Sequence, residues 1–207
     1  RLVEPIRIGR VIIRPSWKQV PLHEADIELV IDPKQAFGTG HHATTHLLIE
    51  WLQQWVTPTD RVLDVGTGSG VLAMVALRLG AETAVGEDHD PVAIDCAREY
   101  AKTNRFDARL TLLVRDAQAG PEQDRFEPTL VLANLDRQTL LLAADTLCQY
   151  ASGGARLLLS GLLVDQRAEV EAAYAARGVY VKTVREREGW LALEATGMES
   201  CEGGLCS

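Results

Sequence analysis

The feature that most constrains the fold is an apolar run that passes into a glycine-rich segment, Val62-Leu63-Asp64-Val65-Gly66-Thr67-Gly68-Ser69-Gly70. Residues 61–65 have the pattern of a buried strand, and the helical pattern of residues 71–79 follows at once. Glycine allows the sharp turn between the two and lets a ligand approach the backbone closely. The segment therefore predicts a parallel sheet with a ligand site at the carboxyl end of its first strand.

Strand-like and helix-like segments alternate along the rest of the chain. Strands are predicted at residues 61–65, 83–86, 110–114, 129–133 and 155–160, and helices at residues 71–79, 92–103, 140–150 and 165–177. Two further β-rich segments, residues 180–184 and 190–195, are joined by a connection short enough for an antiparallel hairpin. The alternation predicts an α/β fold: a seven-stranded, mostly parallel sheet with a terminal antiparallel hairpin and helices on both faces.

The part of the chain before residue 61 is less regular. Residues 11–17 predict a short strand ended by proline, and residues 27–31 alternate between apolar and polar as a half-exposed strand does. Residues 37–45, rich in glycine, threonine and histidine, are predicted to form a loop. Apolar residues then recur at helical spacing and predict the core face of a helix: Leu47, Leu48, Trp51, Leu52 and Trp55.

Composition and charge exclude several classes of protein. A chain of 207 residues that is 46% hydrophobic is long enough for one globular domain with a sizeable core. Its formal net charge of −8 disfavours nucleic-acid binding, which depends on neutralising phosphates. No apolar run reaches the ~18 residues that a membrane span needs. The four cysteines have no zinc-finger spacing. We therefore expect a cytoplasmic, monomeric protein without membrane association.

The spacing of the glycines distinguishes between cofactors. The dinucleotide fingerprint is Gly-x-Gly-x-x-Gly, and Val71 stands where its third glycine would lie, so NAD is disfavoured. The loop suits a cofactor without phosphates, whose amino-acid part lies along it. Adenosine cofactors meet an acidic residue ~20 residues further on, which holds the ribose hydroxyls. Asp88 stands at about that distance, with Glu87 and Asp90 as alternatives, and Asp116 is a candidate for contact with the adenine amino group.

Three further stretches are distinctive. The first is Asp32-Pro33-x-x-Ala36-Phe37-Gly38-Thr39-Gly40-His41-His42-x-Thr44-Thr45. The second is Asn134-Leu135, which follows Val131-Leu132-Ala133. The third is Pro5-Ile6-Arg7-Ile8-Gly9, which leads to Pro15-Ser16-Trp17. The first stretch resembles the signature that precedes the catalytic core of the PrmA family, the ribosomal protein L-11 methyltransferases. The second resembles the substrate-side motif of that family, and the third resembles its linker. The resemblance runs from about Pro5 to Leu193, nearly the whole chain.

This resemblance implies a Rossmann-like class I methyltransferase domain that uses S-adenosylmethionine to methylate amines, chiefly lysine side chains of a ribosomal protein. The residues that it implies for cofactor binding are Phe37, Thr39, Gly40 and His41 at the methionine end, Asp64, Gly66, Thr67 and Gly68 along the amino-acid part, and Asp88 and His89 at the ribose. It places Asn134 at the transferred methyl group, where the Asn134 side chain and the Leu135 backbone carbonyl accept hydrogen bonds from the amine.

The chain departs from the family pattern in several places. The separate N-terminal substrate-recognition domain of the family is absent, either removed or missing from a divergent member with another target. Glu87 replaces a small apolar residue. Asp136, which follows the Asn-Leu pair, either attracts the incoming ammonium or is a solvated loop acid, and the second interpretation is favoured. The expected division is a linker and N-terminal extension (1–25), the methyltransferase domain (26–196), and a flexible tail (197–207) that carries Cys201 and Cys206.

Other functions remain open on the sequence alone. A methyltransferase of the same fold could act on a small molecule, and a cofactor-binding scaffold could have lost catalysis. His42 and His46 share the helical i, i+4 spacing of some metal ligands. A metal site is nevertheless not expected, because the segment offers no carboxylate and no complete ligand set.

Overall fold

A computed structural model of the chain describes residues 4–32, 42–106, 108–120 and 126–197. Phe37, Thr39, Gly40 and His41, which the resemblance assigns to the cofactor, lie outside these described residues, as does the tail from residue 198 onward. Within the described chain, the secondary structure forms two sheets and six α-helices. None of the described helices has both the length and the apolar character that crossing a membrane requires.

A small sheet precedes the main one. It contains β1 (Ile6–Ile8), β2 (Val11–Arg14) and β3 (Ile27–Val30), with β1 antiparallel and β3 parallel to β2. The strand predicted at residues 11–17 is confirmed and ends before Pro15, whose missing N–H cannot continue the ladder. The expected domain boundary at residue 25 falls between the paired strands β2 and β3, and it stays a prediction.

The main sheet confirms the predicted architecture. Its strands are β4 (Arg61–Val65), β5 (Thr83–Asp88), β6 (Leu110–Val114), β7 (Leu130–Asn134), β8 (Arg156–Leu163), β9 (Val179–Arg187) and β10 (Trp190–Gly197). Their order is β6-β5-β4-β7-β8-β10-β9, and β10 is antiparallel to both of its neighbours while the other pairs are parallel. The fold is thus a seven-stranded, mostly parallel sheet with a terminal hairpin.

Helices cover both faces of this sheet. They are α1 (His42–Trp55), α2 (Val71–Arg78), α3 (Pro91–Thr103), α4 (Arg137–Leu142), α5 (Ala144–Ser152) and α6 (Arg167–Ala175). Since alternate residues of a strand face opposite sides, each strand serves two cores. Leu132 packs into the core beneath α1, α2 and α3, and Val131 packs into the core beneath α4, α5 and α6. The predicted core face of α1 is confirmed, because Leu48, Trp51 and Leu52 are fully buried.

Several predicted boundaries were wrong, among them that of the strand predicted at 155–160, which continues to Leu163. Residues 42–45 belong to α1 rather than to a loop. The single helix predicted at 140–150 is two helices that meet at Ala143, and it begins earlier because the Asp136 side chain accepts a hydrogen bond from the Thr139 amide. The strand predicted at 83–86 continues through Asp88, so Glu87 and Asp88 lie inside β5.

Candidate active site at the carboxyl ends of the central strands

The topology determines where a ligand can bind. The chain leaves β4 toward β5 on one side, and β7 pairs with β4 on the other side, so the strand order reverses at β4. In α/β sheets, ligands bind in the crevice at the carboxyl ends of the strands beside such a reversal. The glycine loop follows β4, Asp88 ends β5, and Asn134 ends β7. The fold thereby brings together the predicted site residues that lie on these three strands.

The glycine loop adopts a backbone that other residues rarely adopt. Gly66, Gly68 and Gly70 have φ angles of +70°, +54° and +76°, all in the left-handed region. A Cβ atom on Gly66 would lie 2.3 Å from Cδ2 of Leu135, whereas a Cβ atom on Gly68 would have no neighbour within 4 Å among the described residues. With respect to those residues, the loop packs against the protein at Gly66 and is open at Gly68, where a ligand could approach the backbone.

Asp64 supports the loop from beneath. Its side chain is buried, and its Oδ2 accepts hydrogen bonds from the Thr67 hydroxyl at 2.6 Å and from the Ala73 amide at 3.3 Å. Burial raises the pKa of Asp64 to about 6, against the opposing effect of these two hydrogen bonds. The described contacts of Asp64 thus join β4, the loop and the start of α2. Its contact with the cofactor, like that of Thr67, stays a prediction.

Asp88 is the acid that the geometry favours over its neighbours. Its Oδ2 accepts a hydrogen bond from the Gly68 amide at 2.9 Å, and its Oδ1 accepts one from the Asp90 amide at 3.0 Å. Asp90 is used otherwise, because its side chain caps α3 through the Val92 amide. Asp88 therefore links the end of β5 directly to the glycine loop, and its ribose role stays a prediction.

Glu87 points to the other face of the sheet and has a partner that the sequence analysis missed. Arg115, just after β6, donates a hydrogen bond to Oε1 of Glu87 at 3.1 Å, and both side chains are largely buried. The Arg115 guanidinium also donates to the backbone carbonyl of Gly120. An acid in a buried strand needs a cation nearby, and this requirement was the available signal for Arg115.

The two remaining predicted cofactor residues lie at the exposed rim of the crevice. The His89 side chain is 81% exposed, with its Nδ1 3.4 Å from Oδ1 of Asp88. Asp116 is exposed, and its Oδ1 accepts a hydrogen bond from the Gln118 amide at 2.8 Å. This contact shapes the turn after β6. The ribose role of His89 and the adenine role of Asp116 stay predictions.

Asn134 carries the most informative polar atom of the site. Its Nδ2 donates a hydrogen bond to the Thr45 hydroxyl in α1 at 3.4 Å. Its Oδ1 is buried and has no hydrogen-bond partner among the described residues. Leaving a buried acceptor unsatisfied costs about 1–3 kcal/mol, so this atom is available to accept a hydrogen bond from a ligand or a water. Thr45 was not among the predicted site residues, although it lies in the same Gly/Thr/His-rich segment as several of them.

The residues after Asn134 are fixed by the neighbouring strands. The Leu135 amide donates to the Ser160 carbonyl of β8 at 3.0 Å, and the Leu135 side chain packs on Gly66. Asp136 is exposed, and its side chain also caps α4 through the Thr139 amide. Burial by itself would raise the pKa of Asp136, but the hydrogen bonds from Thr139 lower it overall. Asp136 therefore acts structurally.

The histidines give no support to a metal site within the described residues. Nε2 of His46 lies 3.0 Å from Oε1 of Glu50, one turn further along α1. The described part of the chain contains no cluster of three or more potential histidine, cysteine or carboxylate ligands. The side chains of His41 and His42 lie outside the description.

Comparison with known proteins identifies the family. The family model "Ribosomal protein L11 methyltransferase (PrmA)" matches residues 2–197. The ribosomal protein L11 methyltransferase of Burkholderia multivorans is 44% identical over 198 residues, which are 95% of this chain and 63% of that protein. The one from Ralstonia nicotianae is 45% identical over 191 residues, 92% of this chain and 61% of that protein. The chain thus spans less than two thirds of the length of these relatives.

A solved structure agrees with the fold. The crystal structure of a ribosomal protein L11 methylase from Lactobacillus delbrueckii subsp. bulgaricus matches with a TM-score of 0.85 and 23% identity, covering 96% of this chain and all of that chain. A TehB-like methyltransferase from Corynebacterium glutamicum matches more distantly, with a TM-score of 0.57 over 73% of this chain. With the family match over residues 2–197, the resemblance inferred from the sequence is confirmed, and the chain belongs to the ribosomal protein L11 methyltransferase (PrmA) family.

Proposed function

We propose that this chain transfers a methyl group from S-adenosylmethionine to an amine of a ribosomal protein, specifically to lysine side chains. The observation that carries the proposal is the buried Asn134 Oδ1, which has no partner among the described residues and lies at the end of β7 beside the glycine loop. An acceptor in this position suits a donor N–H from an amine. The names of the relatives support a ribosomal protein as the target.

S-adenosylmethionine fits the residues that are present. It has no phosphate, in keeping with a loop that lacks the third dinucleotide glycine, and the open space at Gly68 leaves room for its amino-acid part. Each oxygen of Asp88 accepts one backbone hydrogen bond. Since a carboxylate has about four acceptor positions, Asp88 retains capacity for the ribose hydroxyls. The bound cofactor supplies a methyl group on a sulfonium sulfur, an electrophile that requires no activation by the protein.

The protein has to deliver a neutral amine in the right direction. A lysine amine has an unperturbed pKa of about 10.4, and burial in the crevice lowers that pKa toward neutrality. Thr45 engages the nitrogen of the Asn134 amide, which leaves Oδ1 as the acceptor for the substrate. Hydrogen bonds from the amine to Oδ1 and to the Leu135 carbonyl aim its lone pair at the methyl carbon. No strong base is needed at that atom.

The experiment is methyl transfer by Asn134→Ala with labelled S-adenosylmethionine and a ribosomal extract. We expect cofactor affinity within threefold of wild type and a loss of transfer of about 100-fold, near 2.7 kcal/mol in transition-state stabilisation. Gln138→Ala, which removes an exposed amide four residues away, is the matched control and should retain full activity. The full-length Burkholderia relative serves as the positive control for the extract.

The outcomes separate the alternatives. Undiminished turnover by Asn134→Ala would refute the role of the amide. Label found only in small molecules would overturn the protein substrate, and cofactor binding without transfer by wild type would indicate a scaffold. Mass spectrometry of the labelled protein locates the methyl groups, and methylation confined to residues other than lysine would overturn the lysine assignment. The proposal places the protein in the cytoplasm with its ribosomal substrate.

A further inference from the structure

Gly161 in β8 lies directly against the backbone of Leu135, the residue that follows Asn134. Gly161 has a φ of +92°, in the left-handed region. A Cβ atom at this position would lie 2.1 Å from the carbonyl oxygen of Leu135, 2.6 Å from its carbonyl carbon and 3.0 Å from its nitrogen. All three are backbone atoms, which cannot rotate away as the end of a side chain can. Any other residue at 161 would therefore displace the Leu135 peptide.

The strand is irregular at this glycine. On the β10 side, Leu191 pairs with Leu162 and Ala192 pairs with Ser160, so Gly161 is skipped and forms a β-bulge. The residue before it is held on both sides, because the Ser160 carbonyl accepts from the Leu135 amide at 3.0 Å and the Ser160 hydroxyl donates to the Leu191 carbonyl at 2.7 Å. Bulges with a left-handed glycine commonly redirect a strand beside a functional site.

Leu135 is also held from the cofactor side. Its Cδ2 atom occupies the place of a side chain on Gly66, at 2.3 Å from the position of a Cβ atom there. One glycine thus makes room for the side chain of Leu135, and a second makes room for its carbonyl. The contact at Gly66 involves a flexible side-chain end, so the contact at Gly161 is the one that determines where the carbonyl lies.

We propose that Gly161 is a positioning residue for methyl transfer: its bulge places the Leu135 carbonyl oxygen where the substrate amine donates its hydrogen. This inference rests on the proposed function. A Cβ atom cannot approach a backbone oxygen closer than 3.0 Å, against the 2.1 Å that the present geometry would impose. The carbonyl must therefore move by about 1 Å, a displacement that can reduce a rate about 100-fold when reacting groups are misaligned.

The test compares Gly161→Ala with Gly178→Ala. Gly178 follows α6 with a φ of +77°, and a Cβ atom there would meet no atom of the described chain within 4 Å. Both variants place an alanine in the left-handed region, but only Gly161→Ala meets the Leu135 backbone. We expect kcat for Gly161→Ala to fall 30- to 100-fold per folded molecule with cofactor affinity within threefold of wild type, and kcat for Gly178→Ala to be unchanged. A kcat for Gly161→Ala within threefold of wild type overturns the proposal.

Two further measurements keep the test decisive. If Gly161→Ala does not fold, Ser160→Ala removes the hydrogen bond to the Leu191 carbonyl that holds the bulge; a fall in kcat of tenfold or more supports positioning, and an unchanged kcat overturns it. If wild type shows no transfer, the proposed function fails separately. Hydrogen exchange at the Leu135 amide then tests whether the Leu135 peptide is displaced. Exchange that is at least tenfold faster in Gly161→Ala, but not in Gly178→Ala, supports the displacement. Equal exchange in wild type and both variants overturns it.

Discussion

The buried Asp64 makes stability depend on pH in a direction opposite to that of most aspartates. Its side chain is 1% exposed, and burial raises its pKa to about 6 from an ordinary value of 3.8. The folded protein therefore holds the Asp64 proton more tightly than the unfolded chain does. Between pH 4 and pH 6 the unfolded chain has lost this proton while the folded protein still holds it, so the free energy of unfolding falls as pH rises, until Asp64 also ionises in the folded state near pH 6.

The magnitude follows from the size of the shift. A difference of about 2 pH units, at 1.36 kcal/mol each, gives about 3 kcal/mol of stability that is present below pH 4 and lost by pH 6. Asp64→Asn removes the ionisation and keeps a side-chain oxygen that can accept from the Thr67 hydroxyl and the Ala73 amide. The variant should therefore gain stability relative to wild type as pH rises across this range.

The assay is urea denaturation of wild type and Asp64→Asn at intervals between pH 4 and pH 7. We expect the difference in free energy of unfolding, variant minus wild type, to increase by about 3 kcal/mol from pH 4 to pH 6 and to level off above pH 7. Aspartates whose pKa is lowered, such as Asp26 at about 2, affect both proteins equally and cancel in the difference. A difference that stays constant with pH would refute the argument that Asp64 is buried and titrates near pH 6.

The remaining predictions concern single contacts. Asp88→Ala should weaken binding of S-adenosylmethionine about 10- to 100-fold in calorimetry, since hydrogen bonds to a charged group are worth about 1.5–3 kcal/mol; unchanged affinity would contradict its ribose role. Tyr174→Phe should reduce stability by about 1 kcal/mol, because the buried hydroxyl donates to the Leu140 carbonyl at 3.0 Å. Methyl transfer by this variant should be unaffected. Arg115→Ala should reduce stability by about 3 kcal/mol in urea denaturation by removing a cation beside buried Glu87, and an effect below 1 kcal/mol would contradict it.

Local patterns were sufficient for much of the fold. The bounds of β4 and β6 agree with prediction, because an apolar run flanked by polar or glycine residues specifies a strand without outside help. The break between α4 and α5 was not predictable in the same way. Ala143 is a good helix former, so nothing in its neighbourhood signals that the helix stops there.

The candidate site was predictable where it depends on single strands and not where it depends on contacts between them. Asp88 follows from its spacing after the glycine loop. The hydrogen bond between Thr45 and Asn134 joins residues that are 89 positions apart, and no spacing rule relates them. The strand predicted at residues 155–160 stopped one residue short of Gly161. The strand instead continues through it as a bulge, and only the neighbouring Leu135 backbone explains why glycine is required there.

The position of β10 between β8 and β9 has a consequence for how the protein is made. β10 is the last strand of the described residues and lies in the interior of the sheet, so β8 and β9 cannot be joined through it until residue 197 has left the ribosome. Until then β8, whose residues 157–162 are buried in the finished fold, presents an unpaired apolar edge. Such edges are templates for association with other chains. The nascent protein is therefore most exposed to aggregation just before its final strand is inserted.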